Sequence, residues 1–407
     1  MPLEPPLSTS AGTDPATGPA PPRLPSPSSD WPPSVRMGWR GDLVTAVLGA
    51  WLVGGAFLDG WAHNTRPGLE TFFTPWHAVL YSGYAASAAW LCWSVRSHHR
   101  RLHPAGPGAG VGGWRSWRRS IPVGYAPALA GAALFPVSGL GDLSWHLAFG
   151  VERDIAALLS PTHLGLFAGG LLIVSAPLRA AWADLTLRPR VGLGELLPAV
   201  LSATLAGCAT GFMFQYLHPA WRDVVGRDRG LFLRHTFDAA QYHFVYDQNV
   251  TVGMAGFVLA SVFLFAPLLL LLRRWRPPAG SAVLVLAVQF IAVQGLTGFA
   301  DLRLALVGVV GAGVVEVLLA VLRPRRSSRW RLLAFCALAP GAFWGVYFTG
   351  VAVGDHGLGW PAELWGGAIV WSGLSILALT LMAFPPHAPT QQTARGAGFA
   401  VATEQER

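Results

Sequence analysis

Residues 250–272 read VTVGMAGFVLASVFLFAPLLLLL, a run of 23 residues with no charge, closed by Arg273 and Arg274. As a helix rising about 1.5 Å per residue it is about 35 Å long, enough to cross the roughly 30 Å hydrocarbon layer of a bilayer. A helix that is apolar all round and this long has lipid, rather than water, as its solvent. Working outward in both directions, nine more apolar stretches of similar length follow, at 41–59, 76–95, 121–141, 161–181, 193–216, 281–299, 303–322, 331–351 and 362–384. The sequence therefore predicts an all-α, polytopic integral membrane helix bundle of about ten transmembrane helices, arranged as hairpins.

Composition agrees. Only 12% of the residues are charged, about half the usual share of a soluble domain. Eighteen tryptophans suit the aromatic belts at the two faces of a membrane. The net charge of +8 arises from arginine alone, because the chain contains no lysine. These arginines sit between apolar runs, so nucleic acid is not an expected partner; the lipid bilayer is. Cys92, Cys208 and Cys336 all fall inside apolar runs without a CxxC pair, which excludes a thiolate metal site or a disulfide framework. The Pro/Ser-rich residues 1–37 and the tail 385–407 lack apolar periodicity and read as disordered. Domain organisation thus reduces to one membrane domain, 38–384, between two tails.

Arginine placement sets an orientation. With the tails and the connections near 96–120, 182–192, 273–280 and 323–330 on one side, 22 of the 29 arginines share that side. The positive-inside rule makes it cytoplasmic, both termini included. The composition, rich in Ala, Gly, Pro and Arg, suits a bacterial plasma membrane. The opposite side then collects eight of the twelve histidines, among them His63, His77, His146, His163, His218, His235, His243 and His356.

Four of those histidines belong to a repeated pattern. Residues 57–83 read FLDGWAHNTRPGLETFFTPWHAVLYSG, and residues 140–170 read LGDLSWHLAFGVERDIAALLSPTHLGLFAGG. Each holds Asp-x3-His, a Glu six or seven residues on, and Thr/Ser-Pro-x-His opening the next apolar run. The sets are Asp59, His63, Glu70 and His77, then Asp142, His146, Glu152 and His163, which reads as an internal repeat of the first two hairpins. Residues i and i+4 share a helix face, so each Asp–His pair points at one spot. Pro75 and Pro161 suit the first turn of a helix, placing His77 and His163 just inside it. Such N and O donors suit a transition metal ion, Zn, Cu or Fe. Asp59, His63, His77, Asp142, His146 and His163 are the expected ligands, and Glu70 and Glu152 the expected catalytic bases. The alternative is that the same groups only cap helix ends and hydrogen-bond one another.

The spacing Asp59-x3-His63-x13-His77 resembles, over about twenty residues, the Asp/His/His copper motif in the C subunit of particulate methane and ammonia monooxygenases. It is one residue longer here. The resemblance implies that this ligand arrangement on membrane helices is able to hold a metal.

Other polar residues allow further readings. The outer connection 217–249 is long enough to be a lid over the site or an interfacial helix. Asp301 suggests a local turn, and Gln215, Gln289 and Gln294 suggest interhelical packing. Glu316, inside an apolar run and nearer the cytoplasm, is a candidate relay for protons or ions. No Walker loop, GxSxG elbow or HExxH motif occurs. The sequence thus supports a membrane metalloprotein, and its donor set allows an enzyme of the oxidoreductase or hydrolase class acting on a small molecule or ion. It leaves open a proton- or cation-coupled transporter, a bis-histidine haem protein, and a structural membrane protein without chemistry; it does not fix the oligomeric state.

Overall fold

A computed structural model describes residues 35–66, 74–103, 113–150, 154–325, 327–354 and 357–384. The expected disordered tails lie outside these residues, Val35–Met37 aside. Fourteen α-helices and no named strand occur among the described residues.

The first half contains α1 (Trp39–Thr65), α2 (Pro75–Leu102), a short α3 (Trp114–Arg119), α4 (Ala126–Phe149) and a one-turn α5 (Asp154–Leu159). It continues with α6 (Pro161–Val174), α7 (Ala176–Ala183) and α8 (Leu193–Met213). After a short 3-10 turn come α9 (Arg227–Thr236), α10 (Ala239–Arg274), α11 (Ser281–Gly295), α12 (Leu302–Leu322), α13 (Arg329–Ala352) and α14 (Ala362–Ala383). Each of the ten predicted stretches falls on a helix. Seven of these helices are long and apolar enough to cross a membrane, and eight if α6 and α7, bent by 40° at Ser175, form one span. The difference from ten has two causes. His77, Tyr81, Ser82, Tyr84, Ser87 and Ser94 dilute the apolar character of α2, and α11 has only 15 residues.

The helix starts follow from capping chemistry. Thr74 accepts the His77 N–H, Ser160 that of His163, and Asp238 that of Gln241. Asp301 accepts the N–H groups of Arg303 and Leu304, so this acid is an N-cap for α12. Each satisfies an amide that has no partner within its own helix. The 36 residues of α10 amount to about 54 Å, well beyond a bilayer core. The N-terminal turns of α10 absorb much of the connection that the sequence suggested as a loop.

Close packing sets the hairpins. A Cβ on Gly83 of α2 would lie 2.8 Å from Leu52 Cα on α1. A Cβ on Gly169 of α6 would lie 3.2 Å from Phe135 Cα on α4. Gly83 and Gly169 each stand six residues after the second histidine; Leu52 and Phe135 each stand seven before the aspartate. The two hairpins therefore pack in one register. They join through α2 and α4, where Tyr84 stacks on Phe135 at 4.7 Å and its hydroxyl donates to Ala132 O at 2.7 Å.

The second half is anchored by aromatic packing of Phe257, Phe290, Phe343, Trp344 and Tyr347, all buried. Several of its buried polar groups bond across helices. Trp344 Nε1 donates to Ser261 Oγ at 2.7 Å, Tyr347 Oη to Pro219 O at 3.1 Å, and Gln289 Nε2 to Leu264 O at 3.2 Å. Gln294 Nε2 donates to Ala220 O. The outward faces carry exposed apolar residues such as Val137, Leu140, Val310, Val317, Val321 and Trp371, as a lipid-facing surface requires.

Candidate functional site

The C-terminal ends of α1 and α4 and the N-terminal ends of α2 and α6 meet at one end of the bundle. Asn64 Nδ2 donates to Gln215 Oε1 at 2.9 Å and reaches Leu296 O at 3.5 Å. The C-termini of α8 and α11 therefore close over the same end.

Two groups of three donors form there. In the first, His63 Nε2 lies 3.8 Å and His77 Nε2 3.4 Å from Asp59 Oδ2. In the second, His146 Nε2 lies 3.4 Å from Asp142 Oδ2, and His163 Nδ1 lies 3.5 Å from Asp142 Oδ1. Within each group the three ligand atoms lie within 4.8 Å of one another. These four His–Asp separations are ion-pair distances. Ligands about 2.05 Å from a tetrahedral ion stand about 3.4 Å apart. The His–Asp separations are close to such ligand edges, the His63 contact being the longest at 3.8 Å.

The capping motif orients the second histidine of each group. Thr74 Oγ1 accepts the His77 backbone N–H at 3.1 Å and lies 3.2 Å from its ring Nδ1, which leaves Nε2 facing Asp59. This is the arrangement in which one ring nitrogen is held and the other offered to an ion. Ser160 holds His163 in the same way, with Oγ 2.6 Å from Nδ1. Here, however, that same nitrogen also faces Asp142.

The two carboxylates differ as well. Asp142 is 1% exposed, and its Oδ1 accepts a hydrogen bond from Thr162 at 2.9 Å. Asp59 is 13% exposed on its side chain, yet its Oδ1 is buried without a hydrogen-bond partner. A buried acceptor left unmatched is unfavourable by roughly 1–3 kcal/mol, more when charged. A cation held by the first group would satisfy it.

Both groups line one cavity of about 700 Å³. Its layers follow helix positions. Arg66 and Arg222 stand at the outer rim; the donor groups come next; Leu52, Phe135, Leu171 and Ala209 line the space beneath. Tyr81, one turn after His77, lines the same cavity and packs against α4 at Gly139. Sequence reasoning missed Tyr81, Thr162 and Asn64, although the first stands four residues after His77 and the second at the variable position of the Thr/Ser-Pro-x-His pattern.

Glu70 and Glu152 lie outside the described residues, as do Asp355 and His356. Of the outer connection, Trp221 and Arg222 line the cavity, whereas His235 and His243 do not. His218 is buried elsewhere, against Phe290 and Trp344, with Nδ1 accepting the Ala220 N–H at 3.0 Å. Burial pushes its pKa down to about 3, so the ring stays neutral. Glu316 also leaves the set. Its Oε1 accepts the Gly280 N–H at 3.0 Å, and its Oε2 those of Ala282 at 2.9 Å and Val283 at 3.2 Å. A side chain of α12 thereby caps the start of α11.

Compared with known protein families, with curated proteins and with solved structures, the chain matches none.

Proposed function

We propose that this chain is a multi-pass membrane metalloprotein, with one outward-facing cavity fed by two Asp/His/His groups. The observation that carries the reading is that two Asp/His/His groups each bring three ligand atoms within 4.8 Å of one another, with His–Asp separations of 3.4 to 3.8 Å. Asp59, His63 and His77 form the better-prepared group, because its second imidazole turns Nε2 toward Asp59 and its carboxylate keeps an unmatched oxygen. Asp142, His146 and His163 would hold a second ion or position the first. The matched capping, spacing and packing register support an internal repeat of two hairpins within a bundle of about ten spans. The arginine asymmetry supports a plasma-membrane protein, bacterial in composition, with cytoplasmic termini.

A transition metal ion, Zn, Cu or Fe, would supply Lewis acidity or electrons there. The chain's own residues shape the reactant. Apolar side chains below the donors and two guanidinium groups above them favour an amphiphile, its apolar part inserted toward the bilayer and a polar or anionic end at the rim. Tyr81, between the two groups, is placed to donate or accept a proton at its hydroxyl. The activity that follows is that of a membrane metalloenzyme, an oxidoreductase or hydrolase. Coupled transport has less support, because Glu316, the acid expected to act as its relay, is bound to three backbone amides.

Elemental analysis of detergent-purified protein tests the reading, wild type beside His63→Ala/His146→Ala, with folding followed by size exclusion. Stoichiometric metal in the wild type and its loss from a folded double variant are expected. No metal in either, after reconstitution with Zn, Cu, Fe and Mn, would refute the proposal.

A further inference from the structure

At the end of the bundle away from the donor groups lies a second cavity, of about 380 Å³. Its position follows from α11, whose C-terminus meets Asn64 beside the donors and whose N-terminus opens onto this cavity. Four arginines line it: Arg190 after α7, Arg276 after α10, and Arg323 and Arg325 after α12. Three separate connections thus converge, and Arg276 N donates to Pro189 O at 2.8 Å to hold two of them together.

Charge here is unbalanced. The one acid in the lining is Glu316, whose two oxygens already accept three amide hydrogens of α11. None of the four arginines makes an ion pair among the described residues, and Arg190 and Arg325 both repel Arg276. Arg323 in addition holds a left-handed backbone, φ 46° and ψ 58°. That conformation is unfavourable by roughly 1–2 kcal/mol for a residue with a Cβ. Clustered guanidinium groups are stabilised by an anion that accepts several N–H bonds at once, and phosphate does so with matching geometry. Basic pockets between membrane helices on the arginine-rich side are where phospholipid headgroups are held.

We propose that this cavity is a binding site for a phosphoryl group, the occupant being the headgroup of an acidic phospholipid. It is independent of the metal reading, since it shares no residue with the donor groups.

The test uses the full chain in detergent, with thermal stabilisation and native mass spectrometry as readouts. Short-chain phosphatidylglycerol, phosphatidylcholine of equal chain length, and inorganic phosphate serve as separate probes. Phosphatidylglycerol is expected to bind at least ten times more tightly than phosphatidylcholine. Arg276→Gln/Arg323→Gln should lose that preference, while Arg118→Gln/Arg119→Gln, exposed arginines of α3 away from the cavity, should keep it. If the double variant does not fold, Arg190→Gln on its exposed connection should weaken binding several-fold. Inorganic phosphate binding as tightly as phosphatidylglycerol, and lost in the same variants, would support the site with a soluble occupant. Equal binding of the two lipids, or preference retained in both pocket variants, would overturn the proposal.

Discussion

Replacing Asp59 by leucine should make the metal-free protein more stable while abolishing its response to metal. Asp59 Oδ1 is buried without a partner, an arrangement unfavourable by roughly 1–3 kcal/mol. Leucine has nearly the same shape and removes the unmatched oxygen, and only the two long contacts to His63 and His77 at 3.8 and 3.4 Å are lost with it, so the apo protein gains up to about that amount. The equivalent change at Asp142 has the opposite sign, because Thr162 then loses its acceptor at 2.9 Å in a site that is 1% exposed. For a chain of this size, the entropy of unfolding makes 1 kcal/mol worth about 1–2 °C. Asp59→Leu should therefore raise the apo unfolding temperature by a few degrees, and Asp142→Leu should lower it. Metal at 100 times its dissociation constant adds about 2.7 kcal/mol to the wild type, a further rise of about 4 °C that Asp59→Leu should lack. Tryptophan fluorescence during heating, after chelation and again after metal is restored, measures all three shifts. If Asp59→Leu destabilises the apo protein as much as Asp142→Leu, the assignment of Asp59 as an unsatisfied metal ligand is wrong.

His218 gives a pH test. Its folded pKa is lowered to about 3 from an unfolded value near 6.5, so the unfolded chain gains the proton first on acidification. Its share of stability is whole above about pH 6.5 and declines by about 1.4 kcal/mol per unit as pH falls toward 3. His218→Leu should flatten the unfolding profile between pH 6 and 4, and an unchanged slope would contradict the burial argument. Glu316→Gln should lower thermal stability, through weaker bonds to the amides of α11, and leave metal content unaltered. Gradient-driven uptake that depends on Glu316 would instead restore the transporter reading.

The parts legible in the sequence were those governed by short-range rules. An i, i+4 spacing and a Pro at the first turn were enough to bring Asp59, His63 and His77 together, and Asp142, His146 and His163 likewise. Long-range packing was not legible. That both groups face one cavity depends on Tyr84 of α2 stacking on Phe135 of α4, a contact no local pattern encodes. Glu316 looked like an intramembrane relay because its partners are backbone amides of another helix, which carry no residue-specific signal. His218 shared the outer end with the donor histidines but turned into the core, because His218-Pro219 begins a tight turn whose amide it binds. Glycine at 83 and 169, by contrast, was visible as a residue and silent as a function until its close contacts on the facing helix were known.

The 40° bend between α6 and α7 makes α6 a lever. Arg179 fastens the bend, donating to Ser175 Oγ, Leu172 O and Gly124 O. From that fulcrum to His163 is about 17 Å along the helix. A swing of only 5° there moves His163 by about 1.5 Å, several times the tolerance of a coordination bond. The reach of His163 toward Asp142 therefore rests on a bend that one guanidinium holds.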